Sequence, residues 1–313
     1  MSSVASLPEL WSCGVKLDDE YLGLMRETRS TASVDVLQQQ MQADGYLLLR
    51  GLLRPEKVLA ARRRVMQQLS DTAQLDPERL MMDGVPRPGA KLYFQPELAQ
   101  KNNPELQELL YSEDGALMMF FQRFLGGAVR HFDFTWLRCI SPGPGTPSHC
   151  DIVYMGRGTR RLYTAWVPLG VADFETGGLM VLENSHTNAR LQQTYGQRDV
   201  DSYCENRAFD KALTSNGYNG FLSPDSNKVR RQLGERWLVA EYEPGDAVVF
   251  CMDLVHGGLD NRSNRLRLSS DSRYQLASEP VDERWIGENP PAHYAWMQGE
   301  TVPMEEARKK WRV

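Results

Sequence analysis

An antiparallel β-sandwich or barrel preceded by helices is the fold that this sequence predicts, and three observations carry it. From the middle of the chain onward, short segments rich in β-branched and aromatic residues recur: VRHFDFTWLRCIS, RLYTAWVPLGV, GGLMVLENS, WLVAEYE, DAVVFCMDLVHG and RLRLSSDSRYQ. Clusters of turn residues separate them. No long helical pattern lies between them, as a parallel βαβ sheet would require; the helical signals collect in the first third instead.

In chain order, residues 34 to 71 read as a helix, an Asp44-Gly45 turn, the apolar strand YLLLRGLL and a second helix opening near Pro55. Proline is tolerated there because its missing N–H would be unpaired in the first turn. A further helix is expected over SEDGALMMFFQRFLGG, with Ser112 as N-cap, Glu113 and Asp114 in the first turn and a Gly-Gly stop. Strand segments follow, interrupted between Ser185 and Trp237 by a polar stretch rich in Gly, Asn and Arg. A loop of that length is a lid, a binding element or a disordered segment. As an insertion at about 188–235, with Arg190, Tyr195, Tyr203 and Tyr218 inside it and Trp237 just beyond, it is the expected source of substrate selectivity. No repeat or linker divides the chain. A single domain is expected, with a helical part at about 1–127, a sheet core at about 128–278 and a C-terminal extension at 279–313.

The hydrophobic fraction of 41% in 313 residues suits a soluble protein with a substantial core. A net charge of −5 argues against nucleic acid as a partner, because phosphate binding shows as a basic surplus. No run approaches the roughly 18 apolar residues of a membrane span. The opening MSSVASLPELWSCG lacks the charged-then-apolar layout of a secretory signal, so a cytoplasmic protein is expected. The cysteines Cys13, Cys139, Cys150, Cys204 and Cys251 are odd in number and never form C-x-x-C, which gives neither a disulfide framework nor a zinc ribbon. Cys139 and Cys251, in apolar runs, read as small buried hydrophobes.

Chemistry concentrates in two places. In TPSHCDIVYMG, His149 and Asp151 stand two apart; on an extended strand both would face one way and Cys150 the other. The bland alternative is a turn histidine followed by a strand cap, and a bare H-x-D is a weak signal. The second place is EPGDAVVFCMDLVHGGLDNRSNRLRLSSDSRYQ, where a tight EPGD turn precedes an apolar strand ending at His256. Gly257 and Gly258 follow, small enough to let backbone pass close to a ligand. Two imidazoles and a carboxylate form the facial triad that holds non-haem Fe(II) with open positions for oxygen chemistry. Arg267 stands eleven residues beyond His256, on a strand expected to run beside the histidine's, with Ser269 two further on. An arginine grips a carboxylate bidentately and a serine hydroxyl adds a second donor, as anchoring 2-oxoglutarate would need. Arg262, Arg265 and Arg273 compete for that role, and alternation places Arg265, Arg267, Ser269, Asp271 and Arg273 on one face. Tyr154 and Met155, just past the first motif, are candidates for a substrate pocket. Of the remaining histidines, His186 reads as ordering a loop, His131 as structural and His293 as surface or C-terminal packing.

Taken together, HCD at 149–151, AWVPLG and GGLMVLENSH between Ala165 and His186, and VHGGLDNRSNRLRLSSDSRYQ from Val255 resemble the phytanoyl-CoA dioxygenase family of Fe(II)/2-oxoglutarate-dependent oxygenases. DGYLLLRGLL is similar to the family's usual opening. The resemblance implies a mainly β protein with flanking helices and a double-stranded β-helix core, that is, a cupin-like jelly-roll. It implies His149, Asp151 and His256 as iron ligands and Arg267 as the residue holding the far carboxylate of 2-oxoglutarate. It adds Trp166, Lys91 and Leu137 as co-substrate contacts. The implied reaction oxidises a C–H bond of a small-molecule substrate with O2, yields succinate and CO2, and is stimulated by ascorbate. Relatives that halogenate carry a small residue where Asp151 stands, so hydroxylation or a related oxidation is expected. Asn184-Ser185-His186 departs from the family's usual Gly-Ser-His. Two other classes compete: a non-catalytic jelly-roll protein that binds iron or 2-oxoglutarate, and a zinc hydrolase, which would leave Arg267 and Ser269 without purpose. The absence of a basic cluster for a CoA phosphate points the substrate toward a small metabolite or natural product.

Overall fold

Alternation along the central strands sends one set of side chains toward helices and the other into the space between two sheets, and this division organises the molecule. The computed structural model describes residues 7–100, 102–201 and 220–293. The chain opens with a hairpin, β1 (Trp11–Ser12) and β2 (Val15–Lys16), followed by β3 (Leu22–Leu24) and β4 (Glu27–Thr28). Helix α1 (Val34–Asp44), strand β5 (Tyr46–Leu49) and helices α2 (Pro55–Asp71), α3 (Pro104–Tyr111) and α4 (Ala116–Leu125) come next. Then follow β6 (Val129–His131), β7 (Trp136–Ile140), helix α5 (Ile152–Met155), β8 (Tyr163–Pro168), β9 (Leu179–Leu182) and helices α6 (Ala189–Gln193) and α7 (Ser226–Leu233). The last strands are β10 (Trp237–Val239), β11 (Ala247–Cys251), β12 (His256–Gly258) and β13 (Arg267–Leu276).

The larger sheet has the order β4-β5-β11-β8-β13-β6, with β7 also paired to β13, and the smaller has the order β12-β9-β10-β3. Pairing is antiparallel except for β10 with β3 and β4 with β5. The expected sandwich is therefore present, as a jelly-roll flanked by helices. The N-terminal segment that no sequence pattern assigned supplies an edge strand to each sheet.

Local chemistry explains most helix limits. Ser33 caps α1 by accepting from the Val36 N–H at 3.4 Å, and Gly45 ends it at φ 75°, returning its N–H to Met41. Pro55 opens α2 as expected. The helix expected from Ser112 instead starts at Ala116, because Ser112 ends a separate helix, α3, and its Oγ donates to Asp114 at 2.5 Å within the intervening turn. Asn103 caps α3 by accepting from Leu106 at 2.9 Å. The EPGD turn forms, with the Asp246 N–H on the Glu243 carbonyl at 3.0 Å.

On the helix side of the larger sheet, Leu47, Leu49, Leu137, Ala165, Val167, Val249 and Leu268 pack against α2, α3 and α4. The opposite face looks into the sandwich, where Leu48, Trp166, Val248 and Phe250 meet Leu179 and Val181 of the smaller sheet. Strand β13 breaks this apolar rule: Arg267, Ser269, Asp271 and Arg273 all face inward and are buried. Arg265 does not share that face. It precedes the strand, is half-exposed, and lies 3.6 Å from Asp173. Nor does β13 run beside β12; the two lie in opposite sheets, so Arg267 and His256 face each other across the sandwich. Among the described residues, no helix is long and apolar enough to cross a membrane.

The helical layer is fastened to β13 through Phe121, fully buried and stacked on Tyr274 with ring centroids 4.2 Å apart. The Tyr274 hydroxyl donates to the Leu110 carbonyl at 2.8 Å. Phe121→Ala is expected to cost about 3–5 kcal/mol by removing a large buried ring, whereas Tyr274→Phe should cost about 1 kcal/mol for one hydrogen bond. Urea unfolding of the two variants measures both.

Candidate metal centre

His149 and His256 are opposed in an antiparallel bridge: each backbone N–H donates to the other's carbonyl at 2.9 Å, and the imidazole centroids lie 4.2 Å apart. The chain from Thr146 to His149 thus lies along β12. Such close approach needs glycine. A Cβ on Gly145 would sit 2.2 Å from the Gly258 carbonyl oxygen, and one on Gly257 or Gly258 would sit 3.0 Å from Thr146 backbone. The Gly-Gly pair therefore admits a neighbouring strand as well as flanking the site.

Asp151 is not the next inward position of a strand. It has helical backbone (φ −65°, ψ −25°) and opens α5, so a turn brings it beside the histidines. Cys150 does face away, its Sγ 3.4 Å from the Asp253 carbonyl. One ligand atom from each of His149, Asp151 and His256 lies within 4.8 Å of the others.

Each side chain is held by its less useful atom. The Nδ1 of His149 lies 2.8 Å from the Pro147 carbonyl and that of His256 lies 3.0 Å from the Leu254 carbonyl. A carbonyl only accepts, so each Nδ1 carries the proton and each Nε2 keeps its lone pair for the site. Asp151 Oδ2 accepts from Thr164 Oγ1 at 2.5 Å and from Arg273 Nη2 at 3.0 Å, which leaves Oδ1 3.8 Å from His256 Nε2. Thr164 and Arg273 are direct partners across β8 and β13, so one register places both donors on one oxygen.

Burial, then the neighbouring His256, pushes His149 down to about 3, and burial also lowers His256. For Asp151 burial acts upward, but Arg273 first and then the two imidazoles and Thr164 outweigh it and hold the carboxyl well below the usual range. At neutral pH the cluster presents two neutral imidazoles and a carboxylate, a donor set suited to a divalent transition metal.

Two cavities adjoin it. A narrow one of about 20 Å³ is bounded by His149, Trp166, His256 and Arg267. Arg267 is buried, pushed down to about 10 by burial and then by Arg138. Its Nη1 donates to Ser269 Oγ at 2.8 Å, so Ser269 orients the arginine, and its Nε has no acceptor among the described residues. A larger cavity of about 300 Å³ is walled by Phe94, Trp136, Tyr154, Met155 and Phe221, with Arg138 and Arg273 on its polar side.

Two expected contacts are elsewhere. Lys91 is exposed and borders neither cavity. Leu137 points to the helix side of β7, because alternation gives the inward positions to Trp136 and Arg138. His293, expected at the surface or in C-terminal packing, is buried against the larger cavity with Nδ1 2.9 Å from Asp201 Oδ2. Thr164 and Arg138 escaped sequence reasoning; Arg273 competes in the sequence for the role of Arg267 and shares its face, but its pairing with Asp151 depends on the fold. His186 does order a loop, donating from Nε2 to the Gln42 carbonyl at 3.0 Å, and His131 stacks on Tyr111 at 4.1 Å. In the insertion, Tyr195 is taken up in packing and Arg190 is exposed, whereas Tyr203 and Tyr218 lie outside the described residues; Trp237, just beyond it, is packed in β10.

A family model described as Phytanoyl-CoA dioxygenase (PhyH) matches residues 41–269. No curated protein sequence matches the chain. Among solved structures, the non-heme alpha ketoglutarate dependent carbocyclase SnoK from nogalamycin biosynthesis is similar at TM-score 0.57 and 16% identity, covering 89% of this chain and 99% of that one. EctD from S. alaskensis in its apoform is similar at TM-score 0.54 and 17% identity, with 90% and 92% covered. The epimerase SnoN, in complex with Fe3+, alpha ketoglutarate and nogalamycin RO, gives TM-score 0.53 and 16% identity over 86% and 94%. At these identities the likeness is one of fold.

Thr164→Val should weaken divalent-metal binding by roughly 10-fold or more, because it frees Asp151 Oδ2 from one of its two donors. Thr164→Ser should restore most of the affinity. Mn(II) titration of the metal-free protein distinguishes the two.

Proposed function

The chain belongs to the phytanoyl-CoA dioxygenase family, and on that premise we propose that it is an Fe(II)/2-oxoglutarate-dependent oxygenase that hydroxylates a C–H bond of a small organic substrate. The observation that carries this reading is the bridged His149–His256 pair with Asp151 Oδ1 turned toward it, next to a buried arginine that has an N–H to spare. In this reading His149, Asp151 and His256 hold the iron. Arg267, steadied by Ser269, takes the distal carboxylate of 2-oxoglutarate, and Trp166 forms a wall of that compartment. Iron with 2-oxoglutarate and O2 supplies the oxidising power, with succinate and CO2 as co-products.

The protein's own part is placement. Thr164 and Arg273 fix the carboxylate ligand in one rotamer, while the two Nδ1 bonds fix both rings. Tyr154 and Met155 belong to the substrate side, where apolar walls exclude water from the reacting C–H bond. Asp151 fills the place that a halogenating relative would leave open, which favours hydroxylation. Similar folds in SnoN with Fe3+ and alpha ketoglutarate, and in EctD with 2-oxoglutarate and 5-hydroxyectoine, support the cofactor assignment.

Uncoupled turnover of 2-oxoglutarate to succinate tests this without a known substrate. His149→Ala and Asp151→Ala are expected to fall to background, and wild-type turnover to stop without O2. Arg267→Leu should weaken 2-oxoglutarate binding about 10- to 100-fold, the loss of one charge-assisted contact. Unchanged turnover in Asp151→Ala, or turnover that persists anaerobically, would sink the proposal.

A further inference from the structure

Three guanidinium groups and two carboxylates line the two cavities: Arg138, Arg267 and Arg273 against Asp151 and Asp271. Arg138 Nε donates to Asp271 at 2.9 Å and Arg273 Nη2 to Asp151 at 3.0 Å, so each carboxylate already has its arginine. On the function proposed above, the iron brings two positive charges and 2-oxoglutarate two negative ones. The balance is unchanged, and the site keeps one cation in excess. An interior charge without a counter-ion is expensive, so a further anion is the natural complement.

Position selects Arg273 as its receiver. Arg267 borders the narrow cavity and Arg273 the larger one; neither borders both. The Arg273 side chain is 3% exposed and lies over the Trp136 ring at 4.0 Å, which fixes the plane of its guanidinium. Only Nη2 is bonded; Nε and Nη1 are buried without an acceptor among the described residues. The two point to different sides of the guanidinium, so the oxygen of a monoanion would accept a charge-assisted hydrogen bond from one of them. Buried donors left without an acceptor are costly, and an anion that accepts from them recovers part of that cost. The rest of the cavity is apolar and aromatic.

We infer that the substrate is a monocarboxylate with an apolar or aromatic body, its carboxylate accepting from an unbonded N–H of Arg273 and its body between Phe94, Trp136, Tyr154 and Met155. This rests on the Fe(II)/2-oxoglutarate reading, and the test separates the two. Protein loaded with Mn(II) and saturating 2-oxoglutarate, without oxygen, is titrated calorimetrically with phenylacetate, 3-phenylpropionate and 4-phenylbutyrate and with their amides. At least one acid should bind about 10-fold or more tighter than its amide, and Mn(II) should broaden the bound acid's proton resonances. Arg273→Lys, which keeps a cation beside Asp151 but lacks the guanidinium's two further nitrogens, should abolish the preference. If 2-oxoglutarate itself fails to bind the wild-type protein, the functional reading falls. If it binds and no acid outbinds its amide, or the preferred acid is not broadened by Mn(II), the carboxylate inference falls alone. An unchanged acid preference in Arg273→Lys would likewise remove Arg273 from the role, and the wild-type comparisons stand even should that variant prove unstable.

Discussion

The bridge between His149 and His256 is the constraint on which the rest of the site depends. Two reciprocal backbone hydrogen bonds at 2.9 Å set the spacing of the imidazoles before any ion arrives. Because the bond is made by backbone, it does not depend on rotamers, and it explains the glycines at 145, 257 and 258, where a side chain would collide with the facing strand. Asp151 then needs only one turn of chain to join the pair, and α5 begins on it.

The larger sheet keeps two jobs apart by alternation. Its outward residues are almost wholly apolar and hold the helices, so the sheet is anchored from behind. Its inward residues on β13 form a buried polar stripe bonded partly within the strand, Arg267 to Ser269, and partly to neighbours, Asp271 with Arg138 of β7 and Arg273 with Asp151. A polar stripe in a sandwich interior is tolerable only if its groups are bonded or await a ligand. The stripe thus separates the metal ligands from ordinary core and sets the charge of the space around them.

How much of this was legible in the sequence follows from the range of each interaction. The H-x-D pair, His256 and Arg267 could be read because each lies in a short motif and their order along the chain is informative. The strands of the core were visible because they are long enough to alternate. β3 and β4 were not, being three and two residues long and defined only by the strands they join. Lys91 and Leu137 failed because their placement crossed segments of variable length; for Leu137, alternation with Trp136 and Arg138 held the correction. Thr164 and Arg273 carry no motif, and their meeting at Asp151 Oδ2 exists only once β8 and β13 are in register. His293 reaches Asp201 from 92 positions away, beyond any local pattern.

The walls of the two cavities differ in ancestry along the chain. The narrow one is built from core strands and the bridged turn, whereas the larger one borrows Tyr154 and Met155 from α5, Phe221 from the end of the insertion and His293 from the C-terminal segment. Those borrowed pieces meet the metal ligands through backbone and ring edges: the Tyr154 and Met155 N–H groups donate to the Asp151 carbonyl at 3.0 and 3.2 Å, and the Tyr154 and Phe221 rings meet His149 edge to face at 5.6 and 5.7 Å. The substrate side is therefore shared between the larger sheet, through Trp136, Arg138 and Arg273, and these added segments. Grafting a different insertion or tail onto this frame would retune which molecule is admitted while the sheets kept the metal ligands and Arg273 in place, which makes the periphery a place where such a scaffold diversifies.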